Sequence, residues 1–288
     1  ISLLVAAQPA EHKMTAEQYI EKFRPYVRDH VELKLNRLLA QKQGPRVILE
    51  GSHGTFLDVS HGSYPFVSAG STLASGICAE AGIGPTRIGH TLGVVKAYAT
   101  RPGEGPFPTE IKSPGLSDYF VERVTKKGID RTVRYGWLDA VMVRQGIMIN
   151  GANSIAITRL DDLNGLKEIK MCVHYKLDDE DFDYLPPVAS DLARVTPHYV
   201  TFKGWQCDIS EARKFTELPQ EARDFVKNIE RVCGVPVSYI SVGPEREQLI
   251  EVVSDLLPEG SFVQESRSKK KKERLPDSTQ GAPRKKVK

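Results

Sequence analysis

Cysteine is scarce and scattered. The 288 residues hold four, Cys78, Cys172, Cys207 and Cys233, with no CxxC pair and no Cys/His cluster. That spacing argues against a structural zinc site and for buried, reduced thiols. Long apolar runs are also missing. No stretch reaches the roughly 18–20 residues of a membrane span. Ile1–Ala7 is apolar but has no basic residue before it, which makes a poor signal peptide. The expectation is a cytoplasmic protein with no membrane partner. A strong charge of one sign is absent too. The net charge is +3, yet Glu265–Lys288 alone carries ten Lys/Arg against three Asp/Glu, leaving −4 on the preceding 264 residues. A nucleic-acid-binding domain would need a basic face on its folded part, so nucleic acid could engage only the tail. No G-x-x-x-x-G-K-[ST] loop occurs anywhere. Chemistry on the terminal phosphate of a nucleoside triphosphate needs such a cradle or an equivalent. Either the chain does not perform it, or the cradle lies outside the chain.

What is present reads as globular: 40% hydrophobic and 27% charged residues, with length for one large or two small domains. Thr15-Ala16-Glu17-Gln18 has capping-box spacing ahead of a helical apolar pattern that Pro25 interrupts. Val47-Ile48-Leu49 reads as a short buried strand, and Gly93–Thr100 as another. Trp137–Asn150 reads as a helix, Ser154–Leu160 and Glu168–Leu177 as strands. Leu218–Cys233 is a helix with Ala222, Phe225, Val226 and Ile229 on one face and Gly234 as its stop. Pro236–Val242 reads as a strand and Glu245–Leu256 as a helix. The alternation predicts an α/β fold, a largely parallel central sheet flanked by helices. Residues 1–13 are expected to be an irregular lead-in, 14–257 the domain, and 258–288 a disordered Lys-rich tail. Within that tail, Lys269–Lys272 and Arg284–Lys288 read either as a solvated segment or as a nuclear-import or polyanion-binding one.

Two strand ends carry nucleotide chemistry. In Ile157-Thr158-Arg159-Leu160-Asp161 a cation precedes a carboxylate by two residues. A carboxylate can accept from both the ring N–H and the exocyclic amine of guanine, a donor pair that adenine lacks, while the cation's stem lies over the base. Ser241-Val242-Gly243-Pro244 passes from a strand towards an expected helix start, where backbone N–H groups would be free for a base or phosphate. Ligands of open α/β sheets sit at strand carboxyl ends. His53, Asp58 and His61 lie in a Gly-rich stretch, and a His/Asp acid–base pair there stays open beside an ordinary hydrogen-bonded loop.

Val47–Thr72 (VILEGSHGTFLDVSHGSYPFVSAGST), Gly93–Glu110 (GVVKAYATRPGEGPFPTE), Gly136–Asp139 (GWLD), Thr158–Leu166 (TRLDDLNGL), Gly204-Trp205 and Gly234–Arg246 (GVPVSYISVGPER) together resemble the adenylosuccinate synthetase family, in order, from about Met14 to Val253. The resemblance implies a P-loop-NTPase-like synthetase fold, here expected to be N-terminally incomplete. It also implies an enzyme of AMP biosynthesis, usually a homodimer, that joins IMP to L-aspartate with GTP and Mg2+. The terminal phosphate of GTP goes to O6 of IMP, and the aspartate amine displaces it.

By the same resemblance, His53 stands at a Gln or Asn that meets IMP, Ser68 at a Thr that meets the IMP phosphate, and Arg131 at an IMP-side Arg. Lys127, Gly128, Ile129, Asp130, Arg131, Thr132 and Val133 occupy the aspartate loop. Arg159, Leu160 and Asp161, with Ser241, Val242, Gly243 and Val133, fall on the GTP side. The family's catalytic Asp and His, its phosphate loop and its magnesium ligands belong to an N-terminal segment that no position here matches, so no catalytic residue or metal ligand is assigned. The aspartate loop departs from the family pattern: both threonines are gone, Val133 replaces an Arg, and Asp130 adds a like charge. Three readings follow: an incomplete piece of the synthetase, not expected to turn over alone; a degenerate paralogue that binds a purine nucleotide or a partner; and an interaction protein that acts through its basic tail.

Overall fold

A computed structural model describes residues 15–31, 34–41, 46–125 and 133–252. The lead-in, Lys127–Thr132 and the Lys-rich tail lie outside the described residues. The element order is α1 (Ala16–Val31), α2 (Lys34–Ala40), α3 (Ala74–Glu80), β1 (Leu92–Lys96), β2 (Ala99–Pro102), α4 (Pro114–Thr125), β3 (Val133–Gly136), β4 (Leu138–Asp139), α5 (Ala140–Asn150), β5 (Ser154–Thr158), β6 (Glu168–Leu177), β7 (Glu180–Phe182), α6 (Ala189–Leu192), β8 (Thr196–Lys203), α7 (Gln220–Cys233), β9 (Val237–Ser241) and β10 (Leu249–Glu251). The chain divides into two units, residues 1–52 with 74–88, and 53–73 with 89–288.

In the first unit the capping box is made as its spacing predicts. The Gln18 N–H donates to Thr15 Oγ1 (3.2 Å) and the Thr15 N–H to Gln18 Oε1 (2.9 Å). α1 runs through Pro25 without splitting. The Arg87 guanidinium donates to the Leu39 carbonyl. Val47–Leu49 corrects the sequence reading. It forms no ladder, and Ile48 is 92% exposed. An apolar run becomes a strand only where a neighbour takes its backbone groups, and this one finds none among the described residues.

The described residues of the second unit form three sheets. In the first, the order β1-β5-β9-β10 is parallel through β9, with β10 antiparallel at the edge. β2 pairs with β3, antiparallel. β6 centres the third: β4 runs parallel to it, and β7 and β8 antiparallel. The class is α/β as expected, but with mixed sheets rather than one largely parallel one. α5 packs on β6 and α7, and α7 touches both β8 and β9, so these helices lie between the first and third sheets. The face of α7 is the expected one, with Ala222, Phe225, Val226 and Ile229 buried and Gly234 closing it at φ 74°. Tyr98, Phe120, Tyr135 and Trp137 form the aromatic part of the core, Phe120 and Tyr135 stacked 5.8 Å apart.

The expected helix over Glu245–Leu256 is a second correction. Arg246–Gln248 is one 3-10 turn, and β10 follows, pairing Ile250 with Ile240. Leu249 to Val252 alternate exposed and buried, a strand period. The expected helix over Trp137–Asn150 begins only at Ala140, because Asp139 caps it by accepting from the Met142 N–H (3.2 Å). Of the four thiols, Cys207 is exposed and the other three are buried and free. Among the described residues β1 is the last strand of its sheet, and its Val94 is 72% exposed.

Candidate functional site

The topology sets β5 and β9 side by side and parallel, so their carboxyl ends emerge together. Arg159–Asp161 and Ser241–Gly243, far apart in sequence, are therefore neighbours. Beyond Thr158 the chain turns through Arg159 at φ 60° into the 3-10 turn Leu160–Leu163. Leu160 and Val242 are fully buried, so their side chains belong to the core and only their backbones face the site. Asp162 is also buried. It accepts from Tyr98 Oη (2.9 Å) and meets Arg159 Nη1 at 3.3 Å. That pair holds the Arg159 side chain and offsets the left-handed backbone from which it springs.

Asp161 is half-buried, with Oδ1 enclosed, and lines with Asp162 an open cleft of about 670 Å3. Tyr119, Glu122 and Arg123 of α4, Asn164 and Gly165, and Gln206, Cys207, Asp208 and Ser210 complete its lining. Buried Trp205 explains the Gly-Trp motif. Its indole N–H donates to Asn164 Oδ1 (2.7 Å), and Asn164 Nδ2 donates to Asp208 Oδ1 (2.9 Å). The Ser210 N–H lowers the Asp208 pKa against some desolvation, with the Ser210 hydroxyl and Asn164 adding to it, so Asp208 stays ionised. Glu122, Asp161, Asp162 and Asp208 line the cleft with one cation, Arg123, whose guanidinium donates to the Asn164 carbonyl (2.7 Å), while Asp162 is held by Arg159. An acidic cleft repels phosphate and suits the donor edge of a base. Cationic groups lie instead at the ends of β1 and β5. Desolvation and Arg159 both pull the Lys96 pKa down, with Asp162 opposing. The sequence reading gives Lys96 no role, although it opens the K-A-Y-x-T-R motif.

Ser241 and Gly243 close on themselves. Ser241 Oγ donates to the Gly243 carbonyl (2.8 Å), and the Val242 N–H donates to the Gln248 carbonyl (3.0 Å). The expected free N–H groups at a helix start are therefore not built here, because no helix follows. A Cβ on Gly243 would meet the end of the Gln248 side chain at 2.2 Å, so that amide would have to move aside.

In the loop 53–73, His53 is exposed with φ 70°, and Ser68 is half-buried with Oγ donating to the Gly70 carbonyl (3.2 Å). Asp58 organises this loop. Its carboxylate accepts from the N–H groups of Ser60 (2.9 Å), His61 (3.0 Å) and Thr72 (2.8 Å) and from Ser71 Oγ (2.9 Å), with His61 Nδ1 at 3.3 Å. Burial alone would raise its pKa. The donors outweigh burial and hold it well below the usual carboxylate range. A carboxylate so saturated is an anchor, not a base. Nearby, Arg101 and Arg134 sit directly opposite each other on β2 and β3. Arg101 donates to Ser63 Oγ (3.0 Å), and Arg134 meets Glu110 at 3.3 Å. Val133 opens β3, half-buried, while Arg131 lies outside the described residues.

Among the described residues, the ligand-type side chains close enough to share an ion are His174, Asp181 and His198. Two imidazoles and one carboxylate are not the hard oxygen set that Mg2+ takes.

The class these features define is an α/β fold of the P-loop-like synthetase kind, with an acidic cleft beside two adjacent strand ends. The chain matches the adenylosuccinate synthetase family over residues 4–250. It is 45% identical over 240 residues to an adenylosuccinate synthetase of Thermobifida fusca, covering 81% of this chain and 54% of that protein. It is 41% identical over 236 residues to one of Clostridium botulinum strain Hall, again covering 81% and 54%. The solved structure of fully ligated adenylosuccinate synthetase from Plasmodium falciparum superposes with a TM-score of 0.77 at 31% identity, over 88% of this chain and 60% of that one. The chain belongs to the adenylosuccinate synthetase family. It spans about half the length of the curated relatives it matches.

Proposed function

We propose that this chain carries the guanine-reading and part of the IMP-binding machinery of a GTP-dependent adenylosuccinate synthetase, a ligase of purine biosynthesis. One observation carries the reading: Arg159–Asp161 and Ser241–Gly243 meet at the carboxyl ends of adjacent parallel strands. Asp161 accepts from N1–H and the exocyclic amine of guanine, and the Arg159 stem covers the base. The acidic cleft favours that donor edge, and the phosphates run towards Lys96. His53, Ser68 and Arg131 meet IMP. Residues 127–133 take L-aspartate, whose amine displaces phosphate from the O6-phosphorylated IMP. Homodimerisation and a cytoplasmic location belong to the proposal. Among the described residues, no helix is long and apolar enough to cross a membrane.

A nucleotide titration tests it. The full chain should bind GDP at least about tenfold more tightly than ADP, the worth of one good bidentate base contact. Asp161→Asn should erase that preference and favour a xanthine nucleotide, whose C2 oxygen accepts from the new amide. Equal binding of GDP and ADP would overturn the assignment. A second reading, nucleotide binding without ligation, is favoured by the loop itself, where Asp130 and Val133 replace a neutral residue and an Arg fork. Adenylosuccinate formation from IMP, L-aspartate and GTP separates the two.

A further inference from the structure

The third sheet carries a cluster that the nucleotide chemistry does not use. His174 of β6 and His198 of β8 are direct partners across an antiparallel pair, next to the irregularity between Cys172 and His174. Their rings lie parallel, 4.4 Å between centroids and 16° between planes. Asp181 comes from the strand on the other side of β6. It pairs with Lys176, two residues along β6 from His174, so its side chain shares a face with His174. His174 Nε2 and Asp181 Oδ1 are 3.8 Å apart. One ligand atom from each of the three residues lies within 4.8 Å of the other two.

The backbone fixes this placement. β6 and β7 are joined by Asp178-Asp179, a two-residue turn with φ 49° and 69°, the I′ geometry that sets hairpin register. Lys176, which could neutralise its cross-strand partner Asp181, instead reaches the turn at Asp179 Oδ1 (3.1 Å). Asp181 is thereby left to the histidines. Both imidazoles face solvent at least in part, so an ion could reach them without opening the fold.

We propose that His174, His198 and Asp181 form a surface site for a late first-row divalent cation, with zinc the best-suited probe. Zinc bonds to imidazole nitrogen and carboxylate oxygen at about 2.0–2.2 Å, which sets tetrahedral ligands about 3.4 Å apart. The present separations, 3.8 Å for His174 Nε2 to Asp181 Oδ1 and no more than 4.8 Å for the set, lie close above that value. Three protein ligands leave the fourth position to water. Two imidazoles select zinc, nickel or copper over magnesium and calcium. The bound ion would tie β7 and β8 to β6, and its binding energy would add to the stability of this sheet.

Zinc chloride titrated into the untagged full chain at neutral pH tests the site, read by calorimetry and by the imidazole NMR signals. The expected result is one zinc per chain, with the His174 and His198 ring signals shifted and no response to magnesium. His174→Ala and His198→Ala should each weaken binding by more than about tenfold, and Asp181→Asn less. His198→Gln keeps much of the cross-strand contact and removes the ring donors, so it serves if the alanine variant folds poorly. Cys207→Ser should leave binding unchanged. Zinc that binds equally well to His198→Gln, or no shift of either ring at excess zinc, would overturn the proposal.

Discussion

Asp58 and Asp162 are each about 1% exposed, yet they are held in opposite ways. Asp58 draws its partners from its own loop: residues 60, 61, 71 and 72. Asp162 draws one from Tyr98, 64 residues upstream, and one from Arg159 on the same turn. The first centre is local, a carboxylate wrapped by a folded-back segment. The second exists only once β5 has entered its sheet. One ion holds the proposed IMP side and the other the proposed guanine side, so the two halves of the site should fail independently.

The largest effect is expected at Asp58. Asp58→Ala would leave three backbone N–H groups and the Ser71 hydroxyl without their acceptor, each worth about 1–3 kcal/mol if it stays dry. Water will reach some of them, so a loss of about 3 kcal/mol in the loop is expected. Hydrogen exchange at Ser60, His61 and Thr72 should accelerate while the β5 and β9 amides stay protected. Acceleration across both regions would break the separation.

Asp162→Ala comes next, at about 2 kcal/mol, because Tyr98 Oη is left buried without its acceptor. Tyr98→Phe in the same chain should restore part of the loss, a coupling that a double-mutant cycle reads. Denaturant unfolding of the four proteins measures it. Full additivity would show that the hydrogen bond contributes nothing to stability.

pH sharpens the comparison through a third buried carboxyl. Asp139, the cap of α5, accepts from Tyr175 Oη at 2.5 Å. Burial still wins and pushes its pKa up from 3.8 to about 6, against Tyr175, two backbone N–H groups and Arg144. Between about pH 3.8 and 6 the native state therefore holds more protons than the unfolded one. From this group, stability falls as pH rises through that window, by about 3 kcal/mol at most. Asp58 has the other sign. Its contribution is in place above about pH 4 and is lost only as pH falls through its depressed folded value. Urea titrations from pH 4 to 7.5 should show the Asp139 slope, and Asp139→Asn should flatten it.

Much of this architecture is legible in the residues themselves. Capping, the buried face of α7, the strands at β5, β6 and β9, and the pairing of Arg159–Asp161 with Ser241–Gly243 follow from local periodicity and from the rule that ligands meet strand carboxyl ends. Val47–Leu49 and Glu245–Leu256 mislead because a short apolar run does not say whether a neighbour will pair with it, and because Glu-Arg-Glu-Gln looks helical until Leu249–Glu251 finds β9. β8 hides behind Pro197 and its two aromatics. From spacing Asp58 reads only as a possible base, since its five contacts come from turns that no spacing rule encodes. The His174, His198 and Asp181 cluster has no linear signature, because three strands must pair in one register before it exists.

The smallest effect on stability is expected at Asp161, next to Asp162 in sequence but only half-buried where Asp162 is enclosed. Asp161→Asn keeps the shape and removes one of the four carboxylates that line the cleft. It should change stability by no more than about 0.5 kcal/mol, measured by the same urea titration. Its effect should appear in ligand choice, while Asp162→Ala should cost stability first and guanine preference only through Arg159. If Asp161→Asn unfolds the protein as readily as Asp162→Ala, both carboxylates belong to the scaffold, and the guanine edge must be read by some other group.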